Sequence, residues 1–199
     1  MAEQSVNQGR RRFLTATTAV VGGVGAAFLA VPFIKSWLPS ERAQAAGAPI
    51  QVDISKLDPG QLLIASWRGL PVWVYRRSPE MLAALPTLDD RLRDPASENS
   101  DQQPEYAANP VRALKPEVGV YVGICTHLGC SPTFVPELAP QPFDAEWQGG
   151  FFCPCHKSRF DLAGRVYSGV PAPTNLPVPP HRFLSDTLIE VGLDPEGAA

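Results

Sequence analysis

Cys125-Thr126-His127-Leu128-Gly129-Cys130 and Cys153-Pro154-Cys155-His156-Lys157-Ser158 decide how this 199-residue chain is read. Between them they hold every cysteine of the chain and two of its three histidines. Chance seldom gathers six soft or borderline metal donors into two mirrored clusters, so something is bound or bridged here. Three readings are open. Four cysteines in an oxidising compartment can form two disulfides, which asks nothing of the histidines. Zinc accepts two cysteines and two histidines, yet leaves two cysteines over, and the common zinc spacings are absent. A third reading uses all six donors.

Outward from these motifs the chain reads as strands and turns. Val118–Ile124, just before the first motif, is apolar and rich in β-branched residues, the pattern of a buried strand. Upstream, the polar stretch from Asp94 to Pro110 reads as a surface loop. Strands are expected at Ile50–Ile54, Gln61–Trp67 and Leu70–Arg76, the last two joined by an Arg68-Gly69 hairpin turn. Ser78 followed by Pro79 is a helix start, with serine as cap and proline in the first turn. Proline is frequent, 22 residues, and concentrated after residue 70. Because proline breaks helices, this favours a loop-rich β domain over a bundle. Trp67, Trp73 and Trp147 are expected to pack in the core, and His181 to sit on a surface loop without a ligand role. No repeat or glycine-rich phosphate loop is visible.

The N-terminal part has a different composition. Leu14 to Ile34 carries no charge, and as a helix of 21 residues it would span roughly 31 Å, the thickness of a bilayer core. Arg10, Arg11 and Arg12 precede it, so the positive flank stays in the cytoplasm and the remainder lies outside. A cleaved signal peptide is the competing reading, supported by Ala43-Gln44-Ala45. The apolar run exceeds a signal core of about 7–15 residues and ends well before that site, which favours a retained anchor. Arg10, Arg11 and Phe13-Leu14 also resemble the twin-arginine export signal, whose route carries folded, cofactor-loaded proteins. Residues 35–49, small and partly polar, read as a flexible tether. The formal charge is −3, and residues 47–199 hold 12 basic and 18 acidic side chains. An acidic domain on a basic stem makes a poor nucleic-acid binder.

The two motifs resemble the Rieske 2Fe–2S family in its cytochrome bc branch, which carries C-T-H-L-G-C and C-P-C-H-x-S. Gly164, the segment Gly169-Val170-Pro171-Ala172-Pro173, the anchor and the tether extend the resemblance over most of the chain. It implies a mainly β fold: a Rieske-type antiparallel β sandwich at 50–199 with a small inserted cluster-binding subdomain at about 120–175. One N-terminal transmembrane helix at 14–34 would follow a cytoplasmic twin-arginine segment at 1–13. It implies one 2Fe–2S cluster, with Cys125 and Cys153 on one iron, and His127 and His156 on the other. Cys130 and Cys155 would form a disulfide between the loops, a closure of about 25 residues worth roughly 3 kcal/mol. Soluble Rieske ferredoxins and oxygenases generally lack that pair.

Two imidazoles in place of two thiolates leave the oxidised cluster without net charge. Adding an electron is then easier, and the potential rises into a range of about −150 to +300 mV. The resemblance also implies that Ser158 donates to a bridging sulfide, and that Phe160 stands where high-potential relatives carry a tyrosine. A potential below theirs is therefore expected. Lys157 stands where glycine is usual, and nothing in the sequence explains it. Leu128, Pro171 and Pro173 would form an apolar face that docks on cytochrome b. His127 and His156, the latter favoured, would hydrogen-bond quinol. The implied partners are cytochrome b and a membrane c-type cytochrome in a dimeric, proton-translocating bc complex of a respiratory or photosynthetic chain. The implied location is the bacterial cytoplasmic (inner) membrane: single-pass, N-terminus cytoplasmic, Rieske domain periplasmic. The subunit would be an oxidoreductase component without complete activity alone. A zinc-stapled periplasmic module and a free Rieske carrier serving an oxygenase are the rival classes.

Overall fold

The computed structural model describes residues 7–195, so residues 1–6 of the expected N-terminal segment and 196–199 of the expected Rieske domain lie outside the described residues. The chain divides into two units, one ending at Ala45 and the other beginning at Ala46.

In the first unit, α1 (Gln8–Lys35) begins at Gln8 rather than Leu14, because the Asn7 side chain caps it by accepting from the Arg10 amide at 3.1 Å. Arg10, Arg11 and Phe13 therefore lie in the first turns of the helix. None of the side chains of α1 is buried. Thr15 and Thr17 donate to the carbonyls of Arg11 and Phe13, which satisfies their hydroxyls internally, as an apolar surrounding requires. Among the described residues, α1 is the one helix long and apolar enough to cross a membrane. A short helix, α2 (Glu41–Gly47), occupies part of the stretch expected as an irregular tether. Its signal was the Ser40 hydroxyl, which accepts from the Ala43 amide at 3.2 Å.

The second unit contains three antiparallel three-stranded sheets. One joins β1 (Ile50–Asp53) to strands that come last in the chain; the next joins β2 (Leu62–Trp67) and β3 (Leu70–Arg76) to β4 (Val118–Val122). The third is formed by β5 (Thr133–Val135), β6 (Gly150–Phe152) and β7 (Arg159–Phe160). Finally β8 (His181–Ser185) and β9 (Leu188–Val191) complete the first sheet in the order β1-β9-β8.

Alternation along β3 explains the layering. Val72 and Val74 point to one face and pack with Val118, Val120, Val52, Ile189 and Val191. Trp73 and Tyr75 point to the other and pack with Tyr121, Phe151 and Phe160. With side chains alternating at period two, β3 and β4 are buried on both faces and form the middle layer, while the edge strand β2 leaves Ile64 exposed. Arg68 and Gly69 connect β2 to β3 with φ of 52° and 75°, the left-handed pair of a hairpin turn that matches strand twist. Ser78 caps α3 (Pro79–Ala84), with proline in its first turn as expected. Trp67, Trp73 and Trp147 are all buried.

Two expectations fail. His181 is not on a surface loop: it opens β8 and is 1% exposed. The Tyr106 hydroxyl donates to its carbonyl and accepts from its amide, while its Nδ1 lies 2.9 Å from the Pro179 carbonyl. The stretch from Asp94 to Pro110 is irregular but not wholly at the surface, since Ser97, Gln103 and Ala107 are buried. Gln103 donates to the carbonyls of Ser97 and Asn99 and accepts from buried Arg112 at 3.0 Å.

Three buried arginines hold the segment after β7. Arg77 donates to the Leu162 carbonyl and to the Tyr75 and Tyr121 hydroxyls. Arg112 donates to the carbonyls of Ala163 and Gly164, and Arg165 pairs with Asp161 at 2.7 Å. Buried guanidinium groups persist when most of their donors are used, and of these three only Arg112 leaves its Nε without a partner among the described residues. Their demand for acceptors fixes residues 161–165 beneath the site.

Candidate metal centre

Two loops built alike carry the donors. The first leaves β4 through Gly123, where a Cβ would sit 2.2 Å from the Trp73 indole, so glycine alone lets the loop close over the middle sheet. The second links β6 to β7. In the first, the Cys125 amide donates to the Cys130 carbonyl at 2.7 Å and the Gly129 amide donates back to Cys125 at 3.1 Å. The second repeats this pattern: Cys153 donates to the Ser158 carbonyl at 2.8 Å, and Lys157 donates to Cys153 at 2.9 Å. The matched fourth residues, Gly129 and Lys157, have φ of 84° and 63°. Glycine takes this region freely, whereas a side chain there costs roughly 1 kcal/mol.

The loops bring the six donors together in two sets. Cys130 and Cys155 are joined by a disulfide that crosslinks the loops. Cys125 and Cys153 remain free and buried, and the two thiols interact directly. The rings of His127 and His156 meet edge to face with centroids 4.7 Å apart. His127 Nδ1 is buried without a hydrogen-bond partner, the state of a ligand atom aimed at something. The sulfurs of Cys130, Cys153 and Cys155 lie within 4.8 Å of one another, but the disulfide removes two of these as thiolate donors. Each mirrored loop thus offers one thiol and one imidazole, a donor set that fits a cluster ligated by two cysteines and two histidines. The disulfide-only reading fails here, because two cysteines are left unbridged.

The surroundings bias the Cys125 thiol toward the neutral form in the absence of a metal. Burial, the largest influence, raises the Cys125 pKa, and the neighbouring Cys153 adds to it. The His127 amide and the Ser158 hydroxyl oppose it by hydrogen-bonding the sulfur. Ser158 is fully buried and its Oγ accepts from the Ala172 amide at 3.0 Å, which leaves its own proton for the sulfur side. Phe160 is fully buried in the core.

A third segment, Val170–Thr174, closes the site. Thr126 donates to the Thr174 carbonyl at 2.8 Å, and Arg93 donates to the carbonyls of Val170 and Pro173. Sequence reasoning missed both of these clamps. Thr126 lay inside the first motif and could have been marked as a hydroxyl without a role; Arg93 carried no local signal. At the tip, Leu128 is 72% exposed, so it fills no core gap. Pro171, Pro173 and His156 are also exposed, while His127 is half-buried.

Comparison with known proteins agrees with this geometry. The Rieske [2Fe-2S] domain family matches residues 101–180, and the ubiquitinol–cytochrome C reductase Fe-S subunit TAT signal family matches residues 1–40. The ubiquinol–cytochrome c reductase iron–sulfur subunit of Allochromatium vinosum is 60% identical over 98% of this chain and 93% of its own length. Its counterpart in Blastochloris viridis is 43% identical over 92% of each chain. A solved chain of a hyperthermophilic respiratory Complex III is 26% identical with a TM-score of 0.48, covering 89% of this chain and 98% of that one. On the donor geometry, the Rieske family match and the two iron–sulfur subunits of 60% and 43% identity, the chain belongs to the Rieske iron–sulfur subunits of ubiquinol–cytochrome c reductase and takes one 2Fe–2S cluster.

Proposed function

We propose that the chain carries single electrons from quinol to a c-type cytochrome, as the Rieske subunit of a proton-translocating cytochrome bc complex in a respiratory or photosynthetic chain. One observation carries this reading: mirrored loops that present two free buried thiols and two touching imidazoles, locked together by the remaining cysteine pair. When bound, the cluster supplies one-electron transfer at a potential raised by its imidazole ligands. Cys125 and Cys153 hold one iron through Sγ; His127, through its unpartnered Nδ1, and His156 hold the other. His156, the more exposed ring, hydrogen-bonds the quinol hydroxyl and takes its proton. Leu128, Pro171 and Pro173 form the apolar rim that seats against cytochrome b and keeps water from that contact. The Cys130–Cys155 bridge keeps the two histidines in register while the rim docks and leaves.

Residues 35–49, with α2 inside them, tether a domain at 50–199 and let it travel between cytochrome b and the c-type cytochrome of a dimeric complex. The cluster-binding subdomain is about 120–175. Arg10, Arg11 and Phe13, in the cytoplasmic segment 1–13, direct export of the folded domain; residues 14–34 stay in the inner membrane as a single span. The domain is then periplasmic. The quinol pocket and the acceptor haem belong to its partners, and the subunit completes no turnover by itself.

Purification from membranes tests this. Iron and acid-labile sulfide in equal amounts, with haem proteins co-purifying, are expected. Zinc without iron or sulfide overturns the electron-carrier reading, and a cluster-loaded chain that leaves all haem proteins behind overturns the bc assignment.

A further inference from the structure

We infer that Lys157 is a docking contact for a carboxylate on the haem protein that takes the electron from this site. The inference rests on the function proposed above and assigns a role to a residue which that function leaves unused. Four observations converge on it.

The backbone of Lys157 is in the left-handed region at φ 63°, and its counterpart in the mirrored loop is Gly129 at φ 84°. A Cβ built on Gly129 would meet nothing within 4 Å. The chain therefore solves the same turn once with the unstrained residue and once with a strained one. Strain retained beside a functional group points to use of the side chain. The side chain follows directly on His156 and is exposed.

Lys157 also lines a groove of about 600 Å³ with His156, Arg159, Phe143, Phe152 and Pro171. Phe143 and Phe152 stack at 4.0 Å with an interplanar angle of 10°, giving a rigid apolar wall that can seat the edge of another protein. Arg159, the other cation of the groove, is engaged by Asp144 at 2.8 Å, and Asp144 also binds Arg91. The Lys157 ammonium has no hydrogen bond or ion pair among the described residues.

Net charge supplies the last argument. Residues 47–199 carry 12 basic and 18 acidic side chains, so the domain's field repels an acidic partner. A cation beside the electron-transferring histidine reverses the sign locally and orients an acidic partner with its haem edge toward His156. A protein carboxylate fits better than a lipid phosphate, because a lipid seated there would cover the histidine without accepting an electron.

The test uses the intact membrane complex with Lys157→Arg, Lys157→Gly and Lys157→Glu, following reduction of the c-type haem after flash or rapid-mix reduction of the cluster. At low ionic strength, delivery is expected to match wild type in the arginine variant. It should fall about threefold in the glycine variant and about tenfold in the glutamate variant. These differences should vanish near ~0.5 M salt. Lys157→Gly should at the same time raise the thermal midpoint, since it removes the strained φ; a purely structural lysine would move rate and stability together. In the wild type, a carbodiimide should join Lys157 by an amide bond to an Asp or Glu of the haem c subunit. Salt-independent rates, a change fully accounted for by a shifted cluster potential, or amide links only to the haem b subunit or to another copy of this chain would each overturn the inference. Absence of haem subunits from the wild-type preparation would instead sink the parent function, and this role with it.

Discussion

At Ser158 one hydroxyl serves two partners. It accepts from the buried Ala172 amide and lies against the Cys125 sulfur. Ser158→Ala should therefore do two separable things. Losing the donor to the sulfur side lowers the reduction potential by about 40 mV, the equivalent of roughly 1 kcal/mol for one electron. Leaving the Ala172 amide unpaired lowers domain stability by about 1–3 kcal/mol. Redox titration and denaturant unfolding read the two effects independently; an unchanged potential would show that the hydroxyl does not reach the sulfur. Phe160 poses the opposite experiment. Its ring is packed without exposure in the main core, and Phe160→Tyr adds one phenolic donor in the cluster's surroundings. The potential should rise by about 40 mV on the same reasoning. A loss of stability with no gain in potential would mean that the phenol is buried without an acceptor.

At the level of elements, the two cluster loops are short and contribute little apolar core, so their mutual position depends on the crosslink between them. Cys130 and Cys155 are 25 residues apart in sequence. Replacing both by alanine should cost about 3 kcal/mol through the unfolded chain's regained freedom. It should also loosen the pairing of the two histidine rings, so the cluster is lost faster on warming; equal cluster lifetimes in variant and wild type would contradict this. These loops were the most legible part of the sequence, because metal donors at fixed spacing carry their meaning locally. The same holds for β3, whose alternation of Val72 and Val74 with Trp73 and Tyr75 is visible from four consecutive residues, and for the Ser78 cap. What stayed hidden depends on distant chain. Gln103 is drawn inside by Arg112, itself turned toward Ala163 and Gly164. Arg93 clamps the proline segment from 77 and 80 residues away. Nothing near either residue in sequence announces that contact.

Across the molecule, acid should destabilise the globular unit in two stages, and His181 governs the first. The His181 ring lies edge-on to Tyr106 and packs beside Phe183, and its Nε2 is buried without a partner. Burial, the largest influence, lowers its pKa below the ordinary histidine value; the Pro179 carbonyl and the charge of Asp194 pull the other way without prevailing. The folded state thus resists a proton that the unfolded chain accepts from about pH 6.5 downward. Stability is complete above that pH and falls as pH drops toward the folded pKa, with a slope of at most about 1.4 kcal/mol per pH unit for one proton. Asp144 acts later. Its burial alone would raise its pKa, but the Arg91 hydrogen bond and the Arg159 charge hold it below the usual carboxylate range. Its contribution is present above about pH 3.8 and is lost as pH falls through the lower folded value. His181→Asn keeps a donor for the Pro179 carbonyl and removes the titration. Thermal midpoints of the variant should be lower than wild type at neutral pH, because the smaller side chain leaves space in the core. Between about pH 6.5 and 5 its midpoint should stay nearly level while that of wild type declines. Parallel declines in the two proteins would place the acid sensitivity elsewhere.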